Sequence, residues 1–261
     1  MPRKTFACLL LVLSMSIPTS AQDPNAEFLL AAQKGNPEKI QVLLQQGVNL
    51  EAYDARGHTA LIYASQRNDV NLIHLLLDQG TNLETQSPDG KTALIQAVEH
   101  NNILAAHALL KRGANIDAQD NEGLTCLMRA VRQNNILLVN MLLNKGANVL
   151  AKSSDGKTAL LFAAIDGRIS ICHNLLERGA DINVQDNNGT TCLIAAVKGR
   201  HVGLTRFLQM HGADINAKTL NGETALDLAK ADGQMLMVRL LENNMPYENM
   251  GTGEVQTVYA E

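Results

Sequence analysis

The sequence predicts an all-α solenoid of about seven 33-residue helix-turn-helix units joined by β-turn or hairpin loops, because three residue columns recur in fixed register. Thr59, Thr92, Thr125, Thr158, Thr191 and Thr224 stand 33 positions apart. So do Gly57, Gly90, Gly123, Gly156, Gly189 and Gly222, and so do Gly47, Gly80, Gly113, Gly146, Gly179 and Gly212. Between the columns each period holds two short apolar runs at helical spacing. Two short helices cannot bury their apolar sides alone, so each unit has to stack on its neighbours, with sealing units at the ends.

In chain order, residues 1–21 come first. Arg3 and Lys4 precede an apolar run from Phe6 to Leu13, and Pro18-Thr19-Ser20-Ala21 supplies a turn and small residues. This is the pattern of a secretory signal peptide cleaved after Ala21. The run is shorter than the roughly 20 apolar residues a spanning helix needs. The mature chain is therefore expected in a periplasm or outside the cell, without a membrane span. It would carry 20 Lys+Arg (22 minus Arg3 and Lys4) against 26 Asp+Glu, a formal charge of -6.

The array is expected over 25–244, in units of about 25–57, 58–90, 91–123, 124–156, 157–189, 190–222 and 223–244. One unit shows the logic. Asp89-Gly90 is a tight-turn dipeptide, Thr92 caps a helix running through Val98, and Asn101 supplies the left-handed stop. A second helix carries Ile103, Ala106, Leu109 and Leu110. Gly113 ends it, and Ala114 to Ala118 reads as an extended crossing to the next turn. The first unit departs by placing Ala26 and Glu27 at the Thr column, and the last by bringing Asp227, Lys230 and Asp232 into its first helix. Residues 245–261, with Glu248, Glu254 and Glu261 and few apolar side chains, read as a disordered tail. A second order lies over the period: Ser87-Pro88-Asp89-Gly90-Lys91 resembles Ser153-Ser154-Asp155-Gly156-Lys157, and Asp120-Asn121-Glu122-Gly123 resembles Asp186-Asn187-Asn188-Gly189. Duplication of a two-unit block explains it, and a partner touching alternate turns is the sharper reading.

Thr158-Ala159-Leu160-Leu161-Phe162-Ala163-Ala164 and Gly179-Ala180-Asp181-Ile182-Asn183 resemble the ankyrin repeat, with its T-P-L-H-x-A signature and later Gly-Ala-Asp segment. The resemblance implies the stacked helical fold and a protein-binding role. Two departures stand out. The family's Pro is Ala60, Ala93, Cys126, Ala159, Cys192 and Ala225, and its His is Ile62, Ile95, Met128, Leu161, Ile194 and Asp227. Apolar packing is expected to replace the hydrogen bonds that this His makes in the family.

Composition narrows the function. Four Phe, four Tyr and no Trp leave little for stacking platforms, and a net charge of -4 without a basic block argues against nucleic acid. There is no His-Glu-x-x-His, Gly-x-Ser-x-Gly or phosphate loop, so neither an enzyme nor a cofactor is expected. His74, His107 and His173 share a column of the second helix, but neighbouring helices lie about 10 Å apart, too far to share a metal at about 2 Å. No metal site is expected. Cys126 and Cys192 stand two units apart, roughly 20 Å by the same spacing, beyond disulfide reach. They read as apolar filler, with a reactive thiol at a helix N-terminus as the alternative.

What remains is surface. The family resemblance implies that turn tips and the exposed end of each first helix form a concave binding face. The matching positions are Tyr53, Arg56, His58, Arg67, Lys91, His100, Leu124 and Arg132, where exposed Tyr and Arg are the natural anchors. Tyr63, Gln96, Arg129 and Phe162 form a column bordering that face. The expectation is a monomeric, exported, non-enzymatic scaffold that binds another protein. Two other readings compete: a redox-responsive protective protein using Cys126 and Cys192, and a factor exported toward a host.

Overall fold

The computed structural model describes residues 23–243, and both the signal segment and the tail lie outside them. Fourteen helices follow in pairs: α1 (Pro24–Lys34) and α2 (Pro37–Gln45), α3 (Ala60–Gln66) and α4 (Val70–Asp78), α5 (Ala93–Glu99) and α6 (Ile103–Lys111), α7 (Cys126–Arg132) and α8 (Ile136–Asn144). The array continues with α9 (Ala159–Ile165) and α10 (Ile169–Glu177), α11 (Cys192–Lys198) and α12 (Val202–Met210), and α13 (Ala225–Ala231) and α14 (Met235–Asn243).

The Thr column starts the first helices as its chemistry requires. Thr59, Thr92, Thr125, Thr158, Thr191 and Thr224 adopt extended N-cap backbone, and each hydroxyl accepts the amide three residues on. Thr224 and Asp227 complete a reciprocal capping box, so the charge of the last unit serves its own helix start. Unit one differs from expectation. Its helix begins upstream of Ala26, because Asp23 accepts from the Asn25 amide and Pro24 presets the first turn. Between the two helices of every unit the chain turns through one left-handed residue: Gly35, Asn68, Asn101, Asn134, Gly167, Arg200 and Gly233. Asn101 is among them, as its position predicts, whereas Arg200 is a strained choice there.

First helices are buried nearly all round. Ala93 to Val98 of α5 are all buried, and α11 is the same from Cys192 to Val197. Second helices bury one stripe, such as Ala105, Ala106, Ala108 and Leu109 of α6. Leu110, expected in the core, is only partly buried against it. First helices also pack more closely along the stack than second helices do, so the array curves toward the first-helix row. The crossing between units is not simply extended: Ala118 donates back to the Asn115 carbonyl at 3.3 Å, closing a turn over Ile116 and Asp117.

The loops are turns rather than strands. Each hairpin closes through two backbone hydrogen bonds, such as the Asp120 amide to the Leu124 carbonyl at 3.2 Å and the Gly123 amide to the Asp120 carbonyl at 2.8 Å, and Lys218–Thr224 is the one isolated bridge among the described residues. Successive tips are tied in a ladder: the amides of Asn121, Ser154, Asn187 and Leu220 donate to the carbonyls of Asp89, Glu122, Asp155 and Asn188 at 2.9–3.1 Å. The first tip-to-tip step lacks this bond, because the donor position is Pro88, whose ring lies over Gly57 where any Cβ would clash.

Candidate functional site

The curvature gathers the turn tips and the C-terminal ends of the first helices on one side. Tyr53 stands 72% exposed at the first tip, beside a cleft of about 540 Å³ lined by Leu29, Leu30, Gln33, Asp54 and Tyr63. Asp54 organises this end. Its Oδ1 accepts the amides of Arg56 and His58 at 2.9 Å, and its Oδ2 receives the Tyr63 hydroxyl and the Arg56 guanidinium. Burial pushes the Asp54 carboxyl upward, but the bonds from Tyr63, His58 and Arg56 outweigh it and hold the pKa down at about 2. The Tyr63 bond in turn raises the pKa of Arg56. Burial lowers that of His58, whose Nδ1 has no partner and whose ring meets Tyr63 edge-on at 5.4 Å. Arg67 is exposed and reaches back to the Gln33 carbonyl at 3.2 Å.

Farther along, the central turns are laced by charge. Lys91 pairs with Asp89 at 2.9 Å and Glu99 at 2.8 Å, and Glu99 pairs with Arg129 at 3.0 Å. Arg129 also binds Asp120, whose side chain is only 1% exposed. Burial lowers the Lys91 pKa, and its bonds to Glu99 and Asp89 reverse this to a net rise. His100 is exposed, its ring nitrogen 2.9 Å from the Gln96 carbonyl. A second cleft, of about 680 Å³, lies between α7 and α9, where Arg132 and Lys157 sit within 6 Å of the Phe162 ring.

Six of the eight expected contact residues therefore reach solvent on this side or rim it: Tyr53, Arg56, Arg67, Lys91, His100 and Arg132. His58 is half-buried behind Tyr63. Leu124 is a correction. It is 2% exposed, because its apolar side chain turns into the core while Asp120 holds its amide at 3.0 Å. For the thiols it is the reactive alternative, not the reading as apolar filler, that needs correction. Cys126 and Cys192 are fully buried at the first helical position, and burial drives both pKa values up, overriding any pull from the helix terminus. Cys172 is raised to about 12, again by burial, and all three are free. His107 and His173 are exposed and His74 is half-buried on the outer row, and no metal-holding group of three or more His, Cys, Asp or Glu occurs among the described residues. No helix among those residues is long and apolar enough to cross a membrane.

Asp186, to which the sequence assigns no role, uses its Oδ1 to accept the amides of Asn188 and Thr190 at 2.8 Å. The available signal was the alternation of Asp54, Asp120 and Asp186 with Ser87, Ser153 and Thr219 at the turn base.

Comparison with known proteins agrees with this architecture. The family described as ankyrin repeats (3 copies) matches residues 28–120 and 109–186, and that described as ankyrin repeats (many copies) matches 175–229. Among solved structures, the ankyrin repeat domain of Bcl-3, a member of the IkappaB protein family, is 26% identical with a TM-score of 0.75, over 85% of this chain and 100% of that one. An ankyrin repeat domain from Acinetobacter baumannii AYE is 31% identical with a TM-score of 0.65, over 70% of this chain and 96% of that one. No curated protein matches the chain. With paired helices in one stack, Thr-capped first helices and laddered turns, the chain belongs to the ankyrin-repeat family.

Proposed function

We propose that this protein is a non-enzymatic scaffold, exported to a periplasm or the cell exterior, that binds another protein along the curved face of first-helix ends and turn tips. One observation carries the reading. A row of exposed side chains, from Tyr53 through Arg67 and His100 to Arg132, lies along the first tip and the first-helix ends, beside turns that from the second tip onward are hydrogen-bonded to one another. Such a surface is presented with little conformational freedom left to lose on binding. Ankyrin repeats typically mediate protein–protein interaction, which supports the same reading. Export rests on the basic-apolar-small pattern of residues 1–21. The buried thiols give the redox alternative no support.

Affinity capture from the exported fraction tests the reading. A stoichiometric protein partner is expected, and the combined substitution of Tyr53, Arg56 and Arg67 by Ala should release it. Binding untouched by all three changes refutes the face.

A further inference from the structure

The C-terminal ends of α1, α3, α5 and α7 gather cations that the chain leaves without counter-charge. Lys34 ends α1, Arg67 and His100 directly follow α3 and α5, and Arg132 ends α7; all four are exposed. Lys34, Arg67 and Arg132 form no ion pair among the described residues. The acids nearby are engaged elsewhere. Glu99 meets both Lys91 and Arg129 at 2.8–3.0 Å, Asp69 caps α4 through the Leu72 amide, and Glu38 stands in the first turn of α2. The row runs against the composition, since the whole chain has 26 Asp+Glu against 22 Lys+Arg. A cation suits a helix C-terminus, but the fold does not require one there: Asp166 and Asp232 follow α9 and α13 at the position of Arg67 and His100.

Two of these groups are held in place without being neutralised. Arg67 lies over Gly35 and donates to the Gln33 carbonyl at 3.2 Å, which brings a second positive charge to the end of α1 that already carries Lys34. Arg132 rests on the Phe162 ring, 5.6 Å from its centre, beside the cleft of about 680 Å³. A guanidinium fixed by a carbonyl or a ring keeps N–H groups for a carboxylate and loses little freedom on meeting one. Successive units stand about 10 Å apart, which is roughly three residues of extended chain. Leu30, one turn before Lys34, and Ile165, one unit beyond Arg132, are exposed apolar side chains at the two ends of the row. A polypeptide can cover them, whereas a phosphate backbone cannot.

We infer that this row takes an acidic segment of the bound protein, laid across the ends of α1, α3, α5 and α7 with carboxylates against Lys34, Arg67 and Arg132. This deepens the scaffold reading and rests on it. The test titrates the folded protein with a dansyl-labelled peptide of four Glu-Ser-Gly triplets, whose carboxylates repeat at about the unit spacing, and with its Gln counterpart as control. The Glu peptide should bind saturably, and more weakly as salt is raised. The triple variant Lys34→Gln, Arg67→Gln, Arg132→Gln should lose at least about tenfold in affinity, the loss expected when three exposed charge pairs go together. Lys111→Gln, Lys145→Gln, Arg239→Gln removes the same charge from exposed positions of the second-helix row and should lose less than about twofold. Circular dichroism verifies that both variants keep the fold. No saturable binding, equal binding of the Gln peptide, or equal losses in the two variants overturn the row. Displacement of the peptide by a thymidine oligonucleotide of the same length at lower concentration overturns its assignment to a polypeptide. Capture of a partner that survives both high salt and the first triple variant overturns the row while leaving the scaffold reading intact. Failure to capture any partner bears on the scaffold alone, since the peptide titration does not depend on it.

Discussion

Replacing Arg129 by Met is expected to destabilise the array more than replacing it by Ala, the reverse of the usual rule for a buried site. The Asp120 side chain is 1% exposed and that of Arg129 11%, so the pair is dry. Methionine fills the guanidinium's volume without its charge and leaves the second carboxylate oxygen buried without a partner. That costs about 3–5 kcal/mol. Alanine instead recreates the arrangement of Asp186 above Ala195, where the same carboxylate persists with only its two backbone amides bonded. Water can then reach the oxygen, and the cost falls to about 1–3 kcal/mol. For an array of this size each kcal/mol moves Tm by about 2–4 °C, so Met should lower it by about 6–20 °C and Ala by about 2–12 °C. Urea unfolding followed by circular dichroism, with the slopes compared, separates the two. Adding Asp120→Asn to the Met variant should recover most of the loss, because the neutral amide still accepts from Glu122 and Leu124. Equal stability of the Met and Ala variants, or no recovery by Asn, would refute the reasoning.

Three further outcomes follow. Arg200→Gly should stabilise by about 1 kcal/mol, since it relieves a left-handed non-glycine residue where Gly167 and Gly233 stand in neighbouring units; a lower Tm would show that the Arg200 side chain contributes more than its backbone costs. Asp54, held at about 2 against an unfolded value of 3.8, contributes stability that is fully present above the unfolded value and is lost as pH falls toward 2. Asp54→Asn should flatten that part of the acid-unfolding curve, and an unchanged curve would remove Asp54 from the account. The thiols of Cys126, Cys172 and Cys192 should stay silent to a thiol reagent until denaturant is added, as their burial requires; rapid native labelling of Cys126 or Cys192 would restore the redox reading.

The architecture was legible because the central units repeat the same three signals, a turn glycine, a capping threonine and a terminating glycine, so errors at one copy cancel. The start of unit one was not, because Asp23-Pro24 caps its helix with residues that the Thr column does not contain. Leu124 was misplaced for a related reason. The residues at its column in other units are His58, Lys91, Lys157, Thr190 and Glu223, all polar, and a column average hides the one apolar member that turns inward. The thiols showed the limit of a local rule: a helix start favours a thiolate, but first helices lie at the centre of the stack and desolvation prevails there. The likeness of Asp120 and Asp186 was visible as duplication, yet the role of these carboxylates, shared with Asp54, depended on which side chain stands opposite, something only packing reveals.

The most direct test of the scaffold account places a photo-crosslinking amino acid at Arg67 or Arg132 on the curved face, and at His107 or Leu137 on the outer row, then identifies adducts in the producing cell. The account predicts that one polypeptide partner is captured from the two curved-face positions and not from the outer ones. Capture from the outer row alone, or from neither row, would contradict it.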